Sequence, residues 1–313
     1  MSDDRTPALV RTFLGRAVCD LLVEPDVMDI LVRPLWIAVD RSGRGLSLVP
    51  EAVGTVDILG LLRLLAPLVG QEVPVNTIVE SSLPGYRARF AGAFLGPRGE
   101  HSFFTLRRAI VRGLPLSAYV EQGIFGQTAY ARFREIVADS LSSLLVAGPT
   151  GSGKTTFLAS MLTDIVQSKG HDEHLVLVED TPELLVDGPM ITSFTASTNF
   201  PYRAALRAAL RHRPTRLIVG EVRGGEALDA IKAGATGHGL MMTIHANTIE
   251  GAVRTLAARM AEGTEGHIDE QLIPDAIHTI AVFRRQPEGI RLTDLGSIST
   301  ISPLIAVERI PVS

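Results

Sequence analysis

From residue 141 onward, short apolar runs alternate with stretches in which apolar residues recur three and four positions apart. Runs of about four consecutive apolar residues are typical of strands that are buried on both faces. The predicted strands are Leu144–Ala147, Leu175–Val178, Ile191–Phe194, Leu217–Val219 and Met241–Ile244. Strands that alternate with helices indicate a mainly parallel sheet with helices on both faces. The pattern therefore predicts an α/β domain.

The chain before this region has a different pattern, with two amphipathic helices among shorter strand-like segments. Helical spacing extends over Arg11–Leu22 and Val56–Leu68. Strands are predicted over Met28–Val39 and Leu46–Val49, and a hairpin over Val75–Phe94 turns at Pro84 and Gly85. These elements predict a small α+β domain.

The pattern changes around Arg107, where arginines cluster and Pro115 interrupts the periodicity. We predict an N-terminal α+β domain at 1–106, a linker with a short helix at 107–124, and a nucleotide-binding domain at 125–313. The segments Ile280–Phe283 and Arg291–Leu295 predict a C-terminal appendage to that domain.

Composition restricts the class of protein. The 313 residues carry a formal net charge of −4, which gives no overall basic signal for nucleic acid. The single cysteine, Cys19, excludes an internal disulfide and a cysteine-based zinc site. No stretch has the apolar length of a membrane span, and the N-terminus lacks the apolar core of a signal peptide. We expect a cytoplasmic protein that associates with a membrane only peripherally, through partners.

The sequence GPTGSGKTT follows the first predicted strand and precedes a predicted helix, as a phosphate-binding loop requires. The candidate ATP-binding residues are Gly148, Pro149, Thr150, Gly151, Ser152, Gly153, Lys154, Thr155 and Thr156. Lys154 would reach the β- and γ-phosphates, and the Thr155 hydroxyl would bind Mg²⁺. The alternative is a glycine-rich turn that binds nothing, but the Lys154-Thr155 pair and the flanking elements favour a nucleotide.

Acidic residues follow two further predicted strands, at Glu179-Asp180 and at Glu221. Glu179 is the candidate for orienting and activating the attacking water, with Asp180 a second choice. Glu221 would hold the metal through water. The alternatives are that Asp180 or Glu183 caps a helix, and that Glu221 faces solvent at a strand end.

Arginines and two histidines surround these acids. The arginines are Arg203, Arg207, Arg211, Arg213, Arg216 and Arg223. Each could form a surface ion pair, but as a group they suggest contact with the γ-phosphate or with a neighbouring subunit. His238 and His245 flank an apolar run without a third ligand at metal spacing, so we expect hydrogen-bonding roles near the nucleotide.

These motifs together resemble the type II/type IV secretion ATPases. Four ordered segments carry the resemblance: GPTGSGKTT, VEDTPEL (Val178–Leu184), LRHRPTRLIVGEVRGGEALDAIKAG (Leu210–Gly234) and TGHGLMMTIHANT (Thr236–Thr248). Within this group the chain is most similar to TrbB-like conjugal transfer ATPases. Gly224 stands where type II and pilus ATPases usually have Asp, and Thr215 stands where the family often has Asp.

The resemblance implies a RecA-like P-loop motor domain, preceded by a small PAS-like α+β domain, in a homohexameric ring that hydrolyses ATP with Mg²⁺. It implies binding of phosphates by Lys154 and a catalytic carboxylate at Glu179. It also assigns Mg²⁺ binding to Thr155 and Glu221, catalytic roles to His238 and His245, and nucleotide contacts to Arg107, Arg207 and Arg211. The implied partners are inner-membrane secretion or conjugation components.

Three other functions stay open at this point. One is a type IV pilus or type II secretion assembly ATPase, which Gly224, the short chain and the absence of a tetracysteine module disfavour. Another is a RecA-like motor that acts on DNA directly, although no sequence-specific contact with nucleic acid is expected. The last is a nucleotide-binding assembly factor without turnover, which the set Lys154, Glu179 and Glu221 disfavours.

Overall fold

The computed structural model describes residues 5–41, 44–72, 76–108, 111–197, 200–301 and 304–313. Its contacts divide the chain into two compact units, Met1–Ile110 with Ser197–Asn199 and Val111–Ala196 with Phe200–Ser313. Within the described residues, no helix has the length and apolar character needed to cross a bilayer.

The first unit packs two helices against one face of an antiparallel sheet. Its elements are α1 (Arg5–Leu21), β1 (Val27–Val32), β2 (Ile37–Arg41), β3 (Gly45–Leu48), α2 (Ile58–Leu65), β4 (Thr77–Ser82), β5 (Ala88–Phe94) and β6 (Phe103–Arg108). The strand order is β3-β2-β1-β6-β5-β4. The α+β organisation of this unit agrees with the sequence prediction.

The predicted strand over Met28–Val39 is wrong in one respect, because the chain turns in its middle. Arg33 N–H donates to the carbonyl of Trp36 at 2.9 Å and closes the turn between β1 and β2. Pro34 lies inside this turn, where its missing N–H and fixed φ interrupt a strand.

The second unit is built on an eight-stranded mixed sheet. Its elements are β7 (Val111–Arg112), α3 (Leu116–Glu121), α4 (Gln127–Ala138), β8 (Leu144–Ala147), α5 (Lys154–Lys169), β9 (Leu175–Glu179), β10 (Leu184–Leu185), β11 (Ile191–Thr195), α6 (Tyr202–Leu210), β12 (Arg216–Val219), α7 (Glu226–Ala235), β13 (Gly239–Ile244), α8 (Ile249–Glu262), α9 (Leu272–Ala276), β14 (Thr279–Gln286), β15 (Gly289–Ile301) and β16 (Leu304–Arg309). The order is β11-β9-β12-β13-β8-β14-β15-β16. The six strands β11, β9, β12, β13, β8 and β14 pair in parallel with their neighbours. Strand β15 is antiparallel to both β14 and β16.

The predicted C-terminal appendage belongs to the sheet itself. Strand β14 pairs in parallel with β8, with Thr279 opposite Leu144 and Val282 opposite Ala147. Its first five residues, Thr279–Phe283, are all buried, as is typical of an internal strand rather than an appended one.

Helices cover both faces of this sheet, as predicted. Helices α6 to α9 pack on one face, and α3, α4 and α5 pack on the other. Leu116 and Tyr119 of α3 are buried in this second core. The short helix predicted in the linker therefore belongs to the second unit.

A buried ion pair fixes the amino-terminal edge of the sheet. Arg216, at the start of β12, is fully buried. Its guanidinium donates to both carboxylate oxygens of Glu173, with Nε to Oε2 at 2.5 Å, and to the carbonyls of Ile136 and Val137 at 2.9 and 3.1 Å. The pair therefore joins α4 to β12 and to the segment that precedes β9.

We predict that Glu173→Gln destabilises the second unit by about 3 kcal/mol, because Arg216 would keep its charge without a countercharge in a buried site. The measurement is the urea midpoint of unfolding, followed by far-ultraviolet circular dichroism. The matched control is Glu135→Gln, which breaks the exposed pair of Glu135 with Arg132 and is expected to leave the midpoint unchanged. Equal midpoints for both variants would contradict the prediction.

Candidate nucleotide-binding and catalytic site

The carboxyl ends of four parallel strands meet at one edge of the second unit's sheet. Val178 of β9 lies opposite Val219 of β12, and Val219 lies opposite Met242 of β13. Ile244 of β13 in turn lies opposite Ala147 of β8. The residues that follow these strands are therefore gathered at one edge, where ligands bind in open α/β sheets.

The segment between β8 and α5 has the geometry of a phosphate-binding loop. Gly151 and Gly153 adopt φ angles of 73° and 87°, in the left-handed region that glycine tolerates best. A Cβ atom on Gly153 would also lie 2.9 Å from Ile290 Cδ1. Helix α5 begins at Lys154, and the N–H groups of its first turn have no partner within the helix and favour an anion.

Two hydroxyl groups of the loop fit a phosphate–metal ligand. Ser152 is fully buried, and its Oγ has no hydrogen-bond partner within the described part of the chain. A buried hydroxyl without a partner is unfavourable, so an acceptor supplied by a ligand would stabilise it. Thr155, in the first turn of α5, carries the hydroxyl that this type of loop uses for Mg²⁺.

Lys154 is held inside the loop. Its Nζ donates to the carbonyls of Gly148 and Pro149, at 2.8 and 3.0 Å. Burial lowers the pKa of Lys154, and the negative charges of Glu221 and Glu183 oppose that shift. The ammonium group is therefore desolvated, and nearby negative charges favour its protonated form. The negative charge of a bound phosphate chain would favour that form further.

His245 connects Lys154 to Glu221. Lys154 Nζ lies 3.4 Å from His245 Nδ1, and His245 Nε2 lies 2.5 Å from Glu221 Oε1. Because a lysine ammonium can only donate, Nδ1 of His245 must accept, and the ring proton lies on Nε2. That proton is donated to Glu221, so one tautomer satisfies both contacts.

Arg223 extends this cluster to the acidic segment after β9. Its Nε donates to Glu221 Oε2 at 2.7 Å, and its Nη1 pairs with Asp180. The sequence predicted a contact for Arg223 only as one of a group of arginines, and not this bridge. The available signal was the i, i+2 spacing of Glu221 and Arg223 after a strand, because alternate residues of an extended segment point the same way.

Glu179, at the end of β9, is a buried carboxylic acid. It is 4% exposed, and burial raises its pKa to about 7. The N–H groups of Leu184 and Glu183 donate to its Oε1, at 3.0 and 2.9 Å, and oppose that shift. Gly220 packs closely on this side chain, because a Cβ atom there would lie 3.0 Å from Glu179 Cγ.

The structure does not bring every predicted site residue to the phosphate loop. His238 precedes β13, so it lies at the opposite edge of the sheet, where its Nδ1 donates to the carbonyl of Ala233 at 3.1 Å. Helix α6 runs back between two parallel strands, so Arg211 at its end also lies towards that opposite edge. Because of the strand direction, the structure places His238 and Arg211 away from this chain's own phosphate loop, and their roles at a nucleotide stay predictions.

Two other predicted arginines have acidic partners within their own units. Arg207 lies 3.5 Å from Asp229, which also accepts from Arg203 at 2.7 Å. Arg107, in the first unit, pairs with Asp29 at 2.9 Å. Their contacts with nucleotide stay predictions.

Comparison with known proteins gives consistent matches. A family model described as "Type II/IV secretion system protein" matches residues 99–280. A probable conjugal transfer protein TrbB of Sinorhizobium fredii is 33% identical, over 92% of this chain and 89% of its own length. A conjugal transfer protein TrbB of Rhizobium radiobacter is 32% identical, over 92% of this chain and 90% of its own length.

Among solved structures, the pilus retraction motor PilT with bound ADP is similar. The TM-score is 0.63 at 21% identity, and the match covers 95% of this chain and 82% of that one. At this identity the likeness concerns the fold.

The raised pKa of Glu179 predicts a pH-dependent stability. Between the ordinary value of 4.5 and about 7, the folded state holds the proton more tightly than the unfolded chain does. Stability contributed by the protonated acid is therefore lost as the pH rises through this window, by about 3 kcal/mol in total. Glu179→Gln removes the titrating group.

We expect the melting temperature of Glu179→Gln, relative to that of the unsubstituted protein, to rise between pH 5 and pH 8. Thermal melts at several pH values measure this difference, with Glu135→Gln as the exposed control. A constant difference across the range would contradict the burial of an ionisable Glu179.

Proposed function

The chain belongs to the type II/IV secretion system ATPase family, and we propose that it hydrolyses ATP to power a conjugal transfer apparatus of the type IV secretion class. The observation that carries the proposal is the cluster at the phosphate loop, in which Lys154, His245 and Glu221 form one connected set of contacts. The match to TrbB proteins along 92% of the chain supports the choice of apparatus.

We further propose that the second unit is a RecA-like P-loop motor domain and the first a PAS-like domain. The order of the parallel strands, with the phosphate loop after an internal strand, supports the first assignment. The helices packed on one face of an antiparallel sheet support the second.

In this proposal the loop binds the triphosphate of ATP through backbone N–H groups and Lys154. Thr155 and Glu221 would hold Mg²⁺, the latter partly through water, and the ion would neutralise charge on the phosphate oxygens. The residues present fit these groups, since Ser152 and Lys154 offer buried donors. Arg223 orients Glu221 by binding its second oxygen.

Glu179 is the proposed general base. With a pKa of about 7, the group is substantially ionised near neutral pH and accepts a proton from the attacking water readily. His245 contacts both Lys154 and Glu221 and so fixes the distance between them. It thereby sets the position of the phosphate-binding lysine relative to the carboxylate proposed to hold the metal. His238 and Arg211 have no part in the chemistry proposed for this subunit.

Conjugal transfer is favoured over pilus assembly because the TrbB relatives match at 33% and 32% identity over almost their whole lengths. The likeness to PilT bears only on the fold. The net charge of −4 gives no support to a motor that binds DNA directly.

The working assembly is proposed to be a homohexameric ring that acts with inner-membrane components and is attached to the membrane peripherally, through them. A row of arginines on α6, spaced four residues apart, offers one surface for contact between subunits. The row is Arg203, Arg207 and Arg211, and it lines a groove of about 560 Å³.

We predict that Lys154→Ala abolishes ATP hydrolysis, because the phosphate chain loses its buried countercharge. Phosphate release at saturating ATP and Mg²⁺ measures the effect. The matched control is Lys232→Ala, on the exposed side of α7, which should retain the parental rate. Hydrolysis by Lys154→Ala at a near-parental rate would exclude this loop as the active site.

We predict that Glu179→Gln retains bound ATP and lowers kcat by a factor of about 10² to 10⁴, as expected for loss of a general base. Filter binding of radiolabelled ATP, followed by chromatography of the bound nucleotide, separates retention from turnover. Bound ADP in place of ATP would assign the base to another residue.

We predict a particle of about six subunits in the presence of a non-hydrolysable ATP analogue, as the family resemblance implies. Mass photometry gives the number directly. A monomer under these conditions would contradict the ring.

A further inference from the structure

A two-residue parallel ladder lies apart from the main sheet of the second unit. Leu184 of β10 lies opposite Val111 of β7, and Leu185 lies opposite Arg112. Strand β7 is the first element of the second unit, and β10 closes the acidic segment that begins at Glu179. A ladder of two residue pairs contributes little to the stability of a sheet, so its effect on the segments that it joins is of more interest.

Strand β7 is anchored to the helix that follows the phosphate loop. Gly113, directly after β7, approaches the backbone of α5 so closely that a Cβ atom would overlap the carbonyl of Ala159 and Cα of Ser160. Only glycine allows this approach without a shift of backbone. The ladder is therefore fixed on the side of β7, by contact with a rigid helix.

On the side of β10, the ladder ends at the catalytic candidate. The N–H groups of Glu183 and Leu184 both donate to Oε1 of Glu179, at 2.9 and 3.0 Å. Leu184 is itself a ladder residue, and its side chain is buried. Oε2 of Glu179 makes no hydrogen bond to any residue that the structure describes.

We propose that the β7–β10 ladder is the positioning element of the catalytic carboxylate, with the N–H groups of Glu183 and Leu184 as its two contact points. They fix one oxygen of Glu179 and leave the other to accept the proton of the attacking water. This inference rests on the proposed function, because it assigns to Glu179 the role of general base in ATP hydrolysis.

The arrangement also connects the start of the second unit to Glu179 through few contacts. Strand β7 pairs with β10, and Leu184 of β10 donates directly to Glu179. A displacement of β7 alters the ladder, and the ladder carries the donor at Leu184. Glu183 and Leu184 are positioning residues in this scheme, since they act on the reaction through Glu179. Their contribution comes from backbone N–H groups, so ordinary side-chain substitution would miss it.

The sharpest test replaces one amide with an ester. Incorporation of the α-hydroxy analogue of leucine at Leu184 removes the N–H donor and keeps the side chain. The matched control is the same replacement at Leu141, whose N–H donates to Asp139 Oδ1 at 3.1 Å in an exposed turn. We expect the ester at Leu184 to lower kcat by about tenfold, with KM for ATP within twofold. The Leu141 ester should match the parent.

A second variant tests the other side of the ladder. Gly113→Ala must displace β7 from α5, and we expect the same fall in kcat with an unchanged affinity for ADP. Its control is Gly266→Ala, where a Cβ atom meets only ordinary contacts. A matching loss of ADP affinity would show that Gly113 acts on the phosphate loop and not on the base.

The ester at Leu184 is also combined with Glu179→Asp. The shorter aspartate side chain can no longer accept the same two hydrogen bonds. Residual hydrolysis is measured with enzyme in excess over ATP. A positioning role predicts less than a twofold further loss in this background. The inference is overturned if the ester leaves kcat unchanged, or if it causes an equal loss with and without Glu179→Asp. Hydrolysis by the unsubstituted protein, abolished by Lys154→Ala, shows separately that the proposed function holds.

Discussion

The registered alignment of parallel strands is the constraint on which the candidate site depends. Side chains alternate between the faces of a sheet, so a slip of one residue between β9 and β12 would reverse every contact. In the observed register, Val178 and Val219 are partners, and the residues after them, Glu179 and Gly220, come into contact. A cluster drawn from four distant segments is therefore a consequence of backbone pairing.

Burial then acts on the charges that this alignment gathers. It disfavours the charged form of both Lys154 and Glu179, so the pKa of the lysine falls and that of the acid rises. The two groups are compensated differently. Lys154 is held by loop carbonyls and by the field of nearby acids, whereas Glu179 is held by two backbone N–H groups. This difference suits the roles proposed for the two groups, a phosphate-binding cation and a general base that exchanges protons.

The sequence predicted the regular elements of the second unit well, because fully buried strands and amphipathic helices have a clear pattern. The strand Leu144–Ala147 has the predicted bounds. Position along a strand proved harder to read. The pair His238 and His245 flanks one strand, and the two ends of a strand lie at opposite edges of the sheet, so only His245 reaches the phosphate loop.

Features that rest on pairing between distant segments could not be predicted. The β7–β10 ladder has two residues in each strand, too few for any periodicity. The bridge from Arg223 to Asp180 depends on the register of two strands.

The place of β14 beside β8 has a further consequence during synthesis. The strand that carries the phosphate loop lies between strands that begin at Gly239 and Thr279, so a nascent chain on the ribosome exposes that loop long before its neighbours exist. Both neighbours of that strand are present only when most of the polypeptide has been made, so we expect a nascent chain to bind nucleotide only late in its synthesis.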